Sequence, residues 1–372
     1  MRSICVVCIL SITIVLSCND ASKRASCNIT VSFGLDSIDI LPSLENKLYQ
    51  VSTVRDSSFF AYYSPKRNSI CVINLDNKRI KKILNVTHLG KRLRSFKFIN
   101  DDSIFLLFND QLKLVNIKGD VLSETRFNEY RPENSFNMII DDYFGYMPLY
   151  YNQAKGEIYV NQHPFNINFW NIDFFKAPVE CAINVKTGAI TDLNLYYPEI
   201  YKKKNYGNAF YYYREYDDGN LIYSFQASPD IMVYNLEKHS TSTTGTKSEL
   251  HKDIMPFDTL YKEDLNMVAD HLIGNPLYLK IMYDTYKKLY YRFYYDGAEP
   301  GKNGRFRTFA DKKLYLIVYD SSFRTVKHIK LDKEQIWSFS FITPNGLYIQ
   351  NEPKSENEKN IYFKVYNFSY IN

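Results

Sequence analysis

Six times along this chain a short apolar strand runs into Asn or Asp and then into a turn. This repetition constrains the fold more than any other feature. The fullest copy is Cys181-Ala182-Ile183-Asn184-Val185-Lys186-Thr187-Gly188, followed by a second strand over 189–195. The other copies are anchored at Asn74, Asn116, Asn235, Asp320 and Asn367, so successive anchors stand 42, 68, 51, 85 and 47 residues apart. A repeat of ~40–50 residues with four strands per unit predicts propeller blades, and the two long spacings predict insertions. Asn and Asp suit the strand end because their side chains bond the backbone just ahead and tolerate turn conformations. Tyr and Phe, 33 and 25 of 372 residues, favour strands throughout.

The expected fold is therefore all-β, a six-bladed propeller. Blade one takes 49–54, 58–63, 69–74 and 79–86. Blade two takes 95–100, 103–108, 111–117 and 121–127. Blade three takes 144–150, 157–162, 179–185 and 189–195. Blade four takes 210–216, 220–225, 231–236 and 240–246. Blade five takes 277–283, 289–295, 314–320 and 325–331. Blade six takes 336–342, 346–350 and 361–367, and only five residues follow Asn367. An unclosed ring leaves sheet edges open. The strand-like segment 28–40 is accordingly expected to supply the outer strand of blade six. Residues 248–273 break the β pattern and read as a small, partly helical insertion, with helical turns at 248–250 and 264–272.

Residues 1–17 read as a targeting segment. Arg2 is followed by an apolar run over 4–16 that is short for a membrane span. The run ends Val15-Leu16-Ser17-Cys18, which resembles a lipoprotein signal and makes Cys18 the expected lipidation site; plain signal-peptidase cleavage is the alternative. Residues 18–26 then form a polar tether and 27–372 the propeller. The expected address is the cell envelope, with contact to the membrane through the lipid anchor.

Losing Arg2 reduces the formal charge from +5 to +4, too little to suggest nucleic acid. Cys5 and Cys8 leave with the signal. That leaves Cys27, Cys71 and Cys181 besides the lipid site, without disulfide or metal spacing. No Gly-rich phosphate loop, His-Glu-x-x-His, Cys-x-x-Cys or Gly-x-Ser-x-Gly occurs, and no cofactor is implied. His163, His251 and His271 fall in expected loops or the insertion, where convergence on a metal is the less favoured reading. Tyr212-Arg214-Tyr216 and Tyr290-Arg292-Tyr294 each put three side chains on one face of a strand. Stacks between blades are the favoured reading for them, over ligand binding.

The signal-like Leu16-Ser17-Cys18, the Tyr/Phe richness and the segment Tyr-Lys-Lys-Leu-Tyr-Tyr-Arg over 286–292 resemble the uncharacterised six-bladed β-propeller lipoproteins of the Bacteroidales. The resemblance covers essentially the full length. It implies an envelope location and no established activity, so no functional residue carries over.

Three functions compete. The first is a binding or scaffold lipoprotein whose ligand is an envelope protein or a glycan. The second is a propeller hydrolase or lyase acting on a glycan or peptide. It would require carboxylates, or a His and Tyr, to converge at the channel mouth; Asp141, Asp142, His163 and Glu180 are the candidates. The third is a subunit of an outer-membrane complex, which would present a large apolar patch.

Topology favours one face. In a blade, the loop between the second and third strands opens on the same side as the crossover to the next blade. The long connections 162–178, 296–313, 196–209 and 248–276 are all of these two kinds. Connections of this length are usually functional or disordered, and these are rich in aromatics. Trp170, Asp173 and Arg307 are the expected binding residues there, with Asp141, Asp142 and His163 beside them.

Overall fold

The computed structural model describes residues 29–39, 48–54, 57–90, 92–127, 130–131, 138–140, 149–246, 248–300, 307–352 and 360–370. The N-terminal strand β1 (Ile29–Asp39) belongs to the last blade. Blade one consists of β2 (Tyr49–Val54), β3 (Ser57–Ser64), β4 (Ser69–Asn74) and β5 (Arg79–Asn85). Blade two consists of β6 (Ser95–Asn100), β7 (Ser103–Leu107), β8 (Gln111–Val115) and β9 (Val121–Arg126). Blade three carries β10 (Tyr130–Arg131) and β11 (Met138–Ile140) ahead of β12 (Tyr150–Asn152), β13 (Glu157–Pro164), β14 (Glu180–Asn184) and β15 (Ile190–Asp192). Blade four is β16 (Tyr212–Asp217), β17 (Asn220–Phe225), β18 (Ile231–Asn235) and β19 (Ser240–Thr244). Blade five is β20 (Leu277–Asp284), β21 (Leu289–Tyr295), β22 (Leu314–Tyr319) and β23 (Thr325–Lys330). Blade six is β24 (Gln335–Thr343), β25 (Gly346–Asn351), β26 (Asn360–Tyr370) and β1.

Every sheet is antiparallel, and the ring closes as its sequence requires. β1 pairs along its whole length with β26, from Ile29 opposite Tyr370 to Asp39 opposite Asn360. The Asn/Asp anchors explain the regularity of the blades. Asn74 Oδ1 accepts from the amides of Asp76 and Asn77, and Asn184 Oδ1 accepts from Lys186 and Thr187. Asn116, Asn235 and Asp320 do the same at their own turns. Each side chain replaces a backbone partner that the turn would otherwise leave unpaired. Asn367 differs: it lies inside β26, because the outer strand of blade six comes from elsewhere in the chain and needs no turn.

Within each blade, burial follows position. β3 and β4 are almost wholly buried, whereas β5 exposes all but Leu84. Apolar faces of neighbouring blades form the core. Blades one and two bury Phe59, Phe96 and Phe98 between them, and blades six and one bury Phe60, Phe341 and Phe363. Cys71 and Cys181 are fully buried within this packing, as small side chains of the core.

The two added strands of blade three, β10 and β11, are not foreseen by the repeat, and they extend the sheet along β13. The expected inner strand 144–150 falls mostly outside the described residues, which show β12 instead. In the insertion, the expected helical turn at 248–250 is an isolated turn. Helix α2 (Leu265–Gly274) forms as anticipated, because Asp264 accepts from the amides of Asn266 and Met267 at its start. A shorter helix, Glu199–Lys203, sits in the crossover from blade three to four.

Candidate functional site

The four long connections interlock on one side of the ring. Trp170 lies 4.8 Å from Phe169 and 5.4 Å from Phe257, ring centre to ring centre. Phe169 stacks on Phe210 at 4.3 Å. Asn205 ties three of the segments: its side-chain amide donates to Phe169 O at 2.8 Å, and its carbonyl accepts from Phe257 N at 2.9 Å. Arg307 makes a two-pronged ion pair with Asp270 of α2 and donates to Ala298 O at 2.9 Å. The guanidinium holds the Asp270 carboxyl below its ordinary range. Lys312 is buried under the same helix and donates to the carbonyls of Leu272, Ile273 and Asn275. The last carbonyls of a helix lack intrahelical partners, so a cation there is well placed. The backbones also approach closely, since a Cβ on Gly297 would stand 2.2 Å from Gly274 O.

The expected site residues take these positions. Trp170 is a half-buried wedge between two connections, and Arg307 is a clamp on α2. Asp173 pairs with Lys176 one helical turn on. His163 lies in strand β13, not in a loop; its ring stacks on Phe174 at 6.2 Å and its Nδ1 is 3.0 Å from Pro164 O. Glu180 is fully buried and ion-paired with Arg214 of blade four. Asp141, Asp142 and Cys18 lie outside the described residues. His251 bonds the Tyr278 hydroxyl and His271 the Met255 carbonyl. Among the described residues no three His, Cys, Asp or Glu side chains are grouped to hold a metal ion.

Both Tyr-Arg-Tyr stretches work between blades, as favoured. Arg214 reaches Glu180 and Tyr159 O of blade three. Arg292, with no exposed surface, donates to Ser224 Oγ, Ser228 O and Pro229 O of blade four.

Among the exposed polar and charged residues of the interlocked connections stand several large apolar side chains. Phe165, Ile172, Tyr196, Met255, Leu260, Tyr261, Leu265, Met267 and Phe309 are exposed there, with Leu260 at 86% and Leu265 at 79%. These are nine of the seventeen large exposed apolar side chains among the described residues. Single exposed apolar residues are ordinary on a protein surface.

The centre of the ring holds a polar group that the sequence does not announce. First strands of neighbouring blades touch, β2 with β6 and β24, and β20 with β16 and β24, which places the first strands around the axis. From them Lys280 donates to the Tyr49 hydroxyl at 2.8 Å and to Ser340 O at 2.6 Å, joining blades five, one and six. Tyr49 in turn donates towards Ser338 O at 2.7 Å. β-Bulges between Tyr278 and Ile281 and between Ile336 and Ser340 re-aim these strands. Lys97 of blade two interacts with Glu215 of blade four, two blades away, so the pair faces across the axis. Burial lowers the Lys97 ammonium from its ordinary value, and Glu215 opposes this. Burial raises the Glu215 carboxyl, against the Tyr216 amide and the two lysines. The only hint in the sequence is a charge in mid-strand, as in Phe-Lys-Phe at 96–98 and Leu-Lys-Ile at 279–281.

Residues 25–330 match the family model described as a domain of unknown function, DUF4221. The crystal structure of a DUF4221 member from Bacteroides vulgatus is similar with a TM-score of 0.76 at 18% identity, covering 93% of this chain and 100% of that one. A putative exported protein from Bacteroides fragilis is similar with a TM-score of 0.50 at 11% identity, covering 91% and 95%. At such identities the likeness speaks for the fold. No functionally curated protein matches the chain.

Proposed function

Because this chain belongs to the DUF4221 family of unknown function, we propose from its own surface that it is a binding propeller of the bacterial cell envelope, docking a partner protein on the face built by the four long connections. The observation that carries the reading is the gathering of nine exposed apolar side chains on that face, above segments rigidly tied to one another. A rigid apolar face loses little conformational entropy when a partner docks, which favours binding. An envelope location is supported by the leader-like residues 1–17 and by the fold likeness to a protein from Bacteroides fragilis described as a putative exported protein. Attachment through a lipidated Cys18 is part of this proposal. The hydrolase or lyase reading has less support, because Glu180, its one described carboxylate candidate, is committed to Arg214.

Photo-crosslinking in native envelopes tests the docking face. A crosslinking residue is placed at Leu260 or Leu265, and for comparison at Thr187 in a hairpin of the opposite side. We expect a discrete protein adduct from the first two sites. Adducts only from Thr187, or none from any site, would refute the assignment. Membrane fractionation of Cys18→Ala tests the anchor in parallel; retention in the membrane would exclude it.

A further inference from the structure

We infer that the outer wall of blades six, one and two rests on the phospholipid surface of the envelope membrane, seated by its apolar side chains and by the cations of β5. The inference rests on the envelope attachment proposed above and says which side of the ring the membrane takes.

The first observation is a contrast between outermost strands. Phe33 and Leu35 on β1, Ile80 and Ile83 on β5, and Val121 and Leu122 on β9 are exposed, with Leu35 at 79%. The corresponding strands of blades three, four and five, β15, β19 and β23, carry no exposed large apolar side chain. One such residue would be ordinary. Six confined to three adjoining strands divide the rim into an apolar half and a polar half. The three strands form one surface. Lys78, just ahead of β5, pairs with Asp36 of β1, and Lys81 of β5 pairs with Asp101 of blade two at 2.7 Å.

The second is charge. The strand β5 opens Arg79-Ile80-Lys81-Lys82-Ile83 and contains no carboxylate. Arg79 and Lys82 are exposed beside the isoleucines. On blade six the Lys364 ammonium lies over the Phe33 ring at 4.3 Å. Apolar and aromatic side chains interleaved with cations suit the boundary between acyl chains and anionic headgroups.

The third is where the chain enters. Ten residues lie between Cys18 and Ile29. A chain of that length reaches at most about 40 Å, so an anchored Cys18 keeps β1 near the bilayer. Ile29 pairs with Tyr370, beyond Tyr366, which pairs with Leu347 beside the hairpin at Gly346. The chain therefore enters blade six on the hairpin side, away from the four long connections. A membrane along this wall leaves the docking face clear for its partner.

Photo-crosslinking to lipid tests the wall. A diazirine residue is placed singly in the full-length chain at Leu35, Ile83, Ser242 on the outermost strand of blade four, or Thr187 in a hairpin. All four positions are exposed or on surface turns, so folding should tolerate the change. Native envelopes are irradiated and phospholipid adducts identified by mass spectrometry. We expect adducts at Leu35 and Ile83 at least tenfold above those at Ser242 and Thr187. Arg79→Gln combined with Lys82→Gln should reduce the Ile83 adduct severalfold without changing the thermal melt. No phospholipid adduct at Leu35 and Ile83, equal adducts at all four sites, adducts confined to Ser242 or Thr187, or protein in place of phospholipid at Leu35 and Ile83 would each overturn the inference. Fractionation of Cys18→Ala reports on the anchor alone, and crosslinking at Leu260 on the docking face alone, so failure of either is told apart from failure of the wall.

Discussion

The guanidinium of Arg292 lies over the ring of Tyr278 at 4.2 Å, within blade five, while it donates across to Ser224, Ser228 and Pro229 of blade four. Those acceptors are a hydroxyl and two carbonyls, none of them a carboxylate. Burial accordingly lowers the Arg292 pKa from its ordinary value. The charge is held by ring face and oriented dipoles, and the same bonds fix the turn at Ser228 and Pro229, on the side of the four long connections.

Replacing Arg292 by Ala is expected to destabilise the domain by about 3 kcal/mol, because it opens a cavity and strands two buried carbonyls. Arg292→Lys should recover little, since an ammonium cannot reach three divergent acceptors from the same position. Urea unfolding measures both. A loss under ~0.5 kcal/mol for Arg292→Ala would show that the contact is incidental.

The Glu180–Arg214 pair should give a pH signature. Burial pushes the Glu180 carboxyl up, and Arg214 pulls it back. A folded-state pKa above the unfolded one means that the folded protein holds this proton more tightly. The resulting stabilisation is full below the unfolded value and is lost as pH rises through the folded one. Arg214→Met removes the restraining charge, so its stability should fall more steeply than wild type from the carboxylate range to neutrality, with a cost near pH 7 of about 3 kcal/mol. Glu180→Gln added to Arg214→Met should flatten that slope. Parallel pH profiles for the single and double variants would count against the pair.

Lys312 should act in the opposite sense. Burial lowers its ammonium from 10.5 to about 7, with Asp296 opposing and Arg307 adding. Between those values the unfolded chain binds more protons than the folded one, so stability contributed by this group rises with pH across that window. The slope is at most about 1.4 kcal/mol per pH unit. Melting midpoints of wild type minus Lys312→Met, measured from neutral to alkaline pH, should therefore increase. A flat difference would mean that the amine stays protonated throughout.

How much of this was legible in advance follows from what each residue type signals. Asn184 and its counterparts announce their turns because the side chain itself makes the bonds, and strand ends follow closely. Arg292 is legible as an inter-blade residue, but it joins the blades by hydrogen bonds, and the ring it covers is Tyr278 of its own blade instead of Tyr290 or Tyr294. Trp170 and Arg307 lie on the long connections, as the sequence indicates, and each is also engaged by a neighbouring segment. A sequence shows that an aromatic or a guanidinium is available, not that Phe257 or Asp270 from a distant insertion already occupies it. The axial group was not legible, because Lys280, Tyr49 and Ser340 come from three different blades and meet only through ring closure. The extra strands β10 and β11 lack the repeat that marks the others.

The closing ladder is the remaining test. Ile38 is 2% exposed, opposite Ile361. Ile38→Ala should cost about 2–4 kcal/mol. Deleting residues 29–39 should lower the melting temperature of the whole domain and broaden its transition, because an entire edge loses its partners. An unchanged melt after deletion would show that the blades are stable without closure.

That ladder also sets an order of events in folding. Thr30 bonds to Ser369, 339 positions away. Blades one, two, four and five are consecutive hairpins whose contacts are local and can form early. The sixth sheet cannot be completed until residues at both extremes of the domain are free to meet, and contacts of such separation form slowly. During that interval the edge of β26 is a template for pairing with any other extended chain. The nascent protein should therefore be most prone to aggregation late in folding, when five blades are already built, and a trapping reagent or chaperone that holds β1 apart should arrest it there.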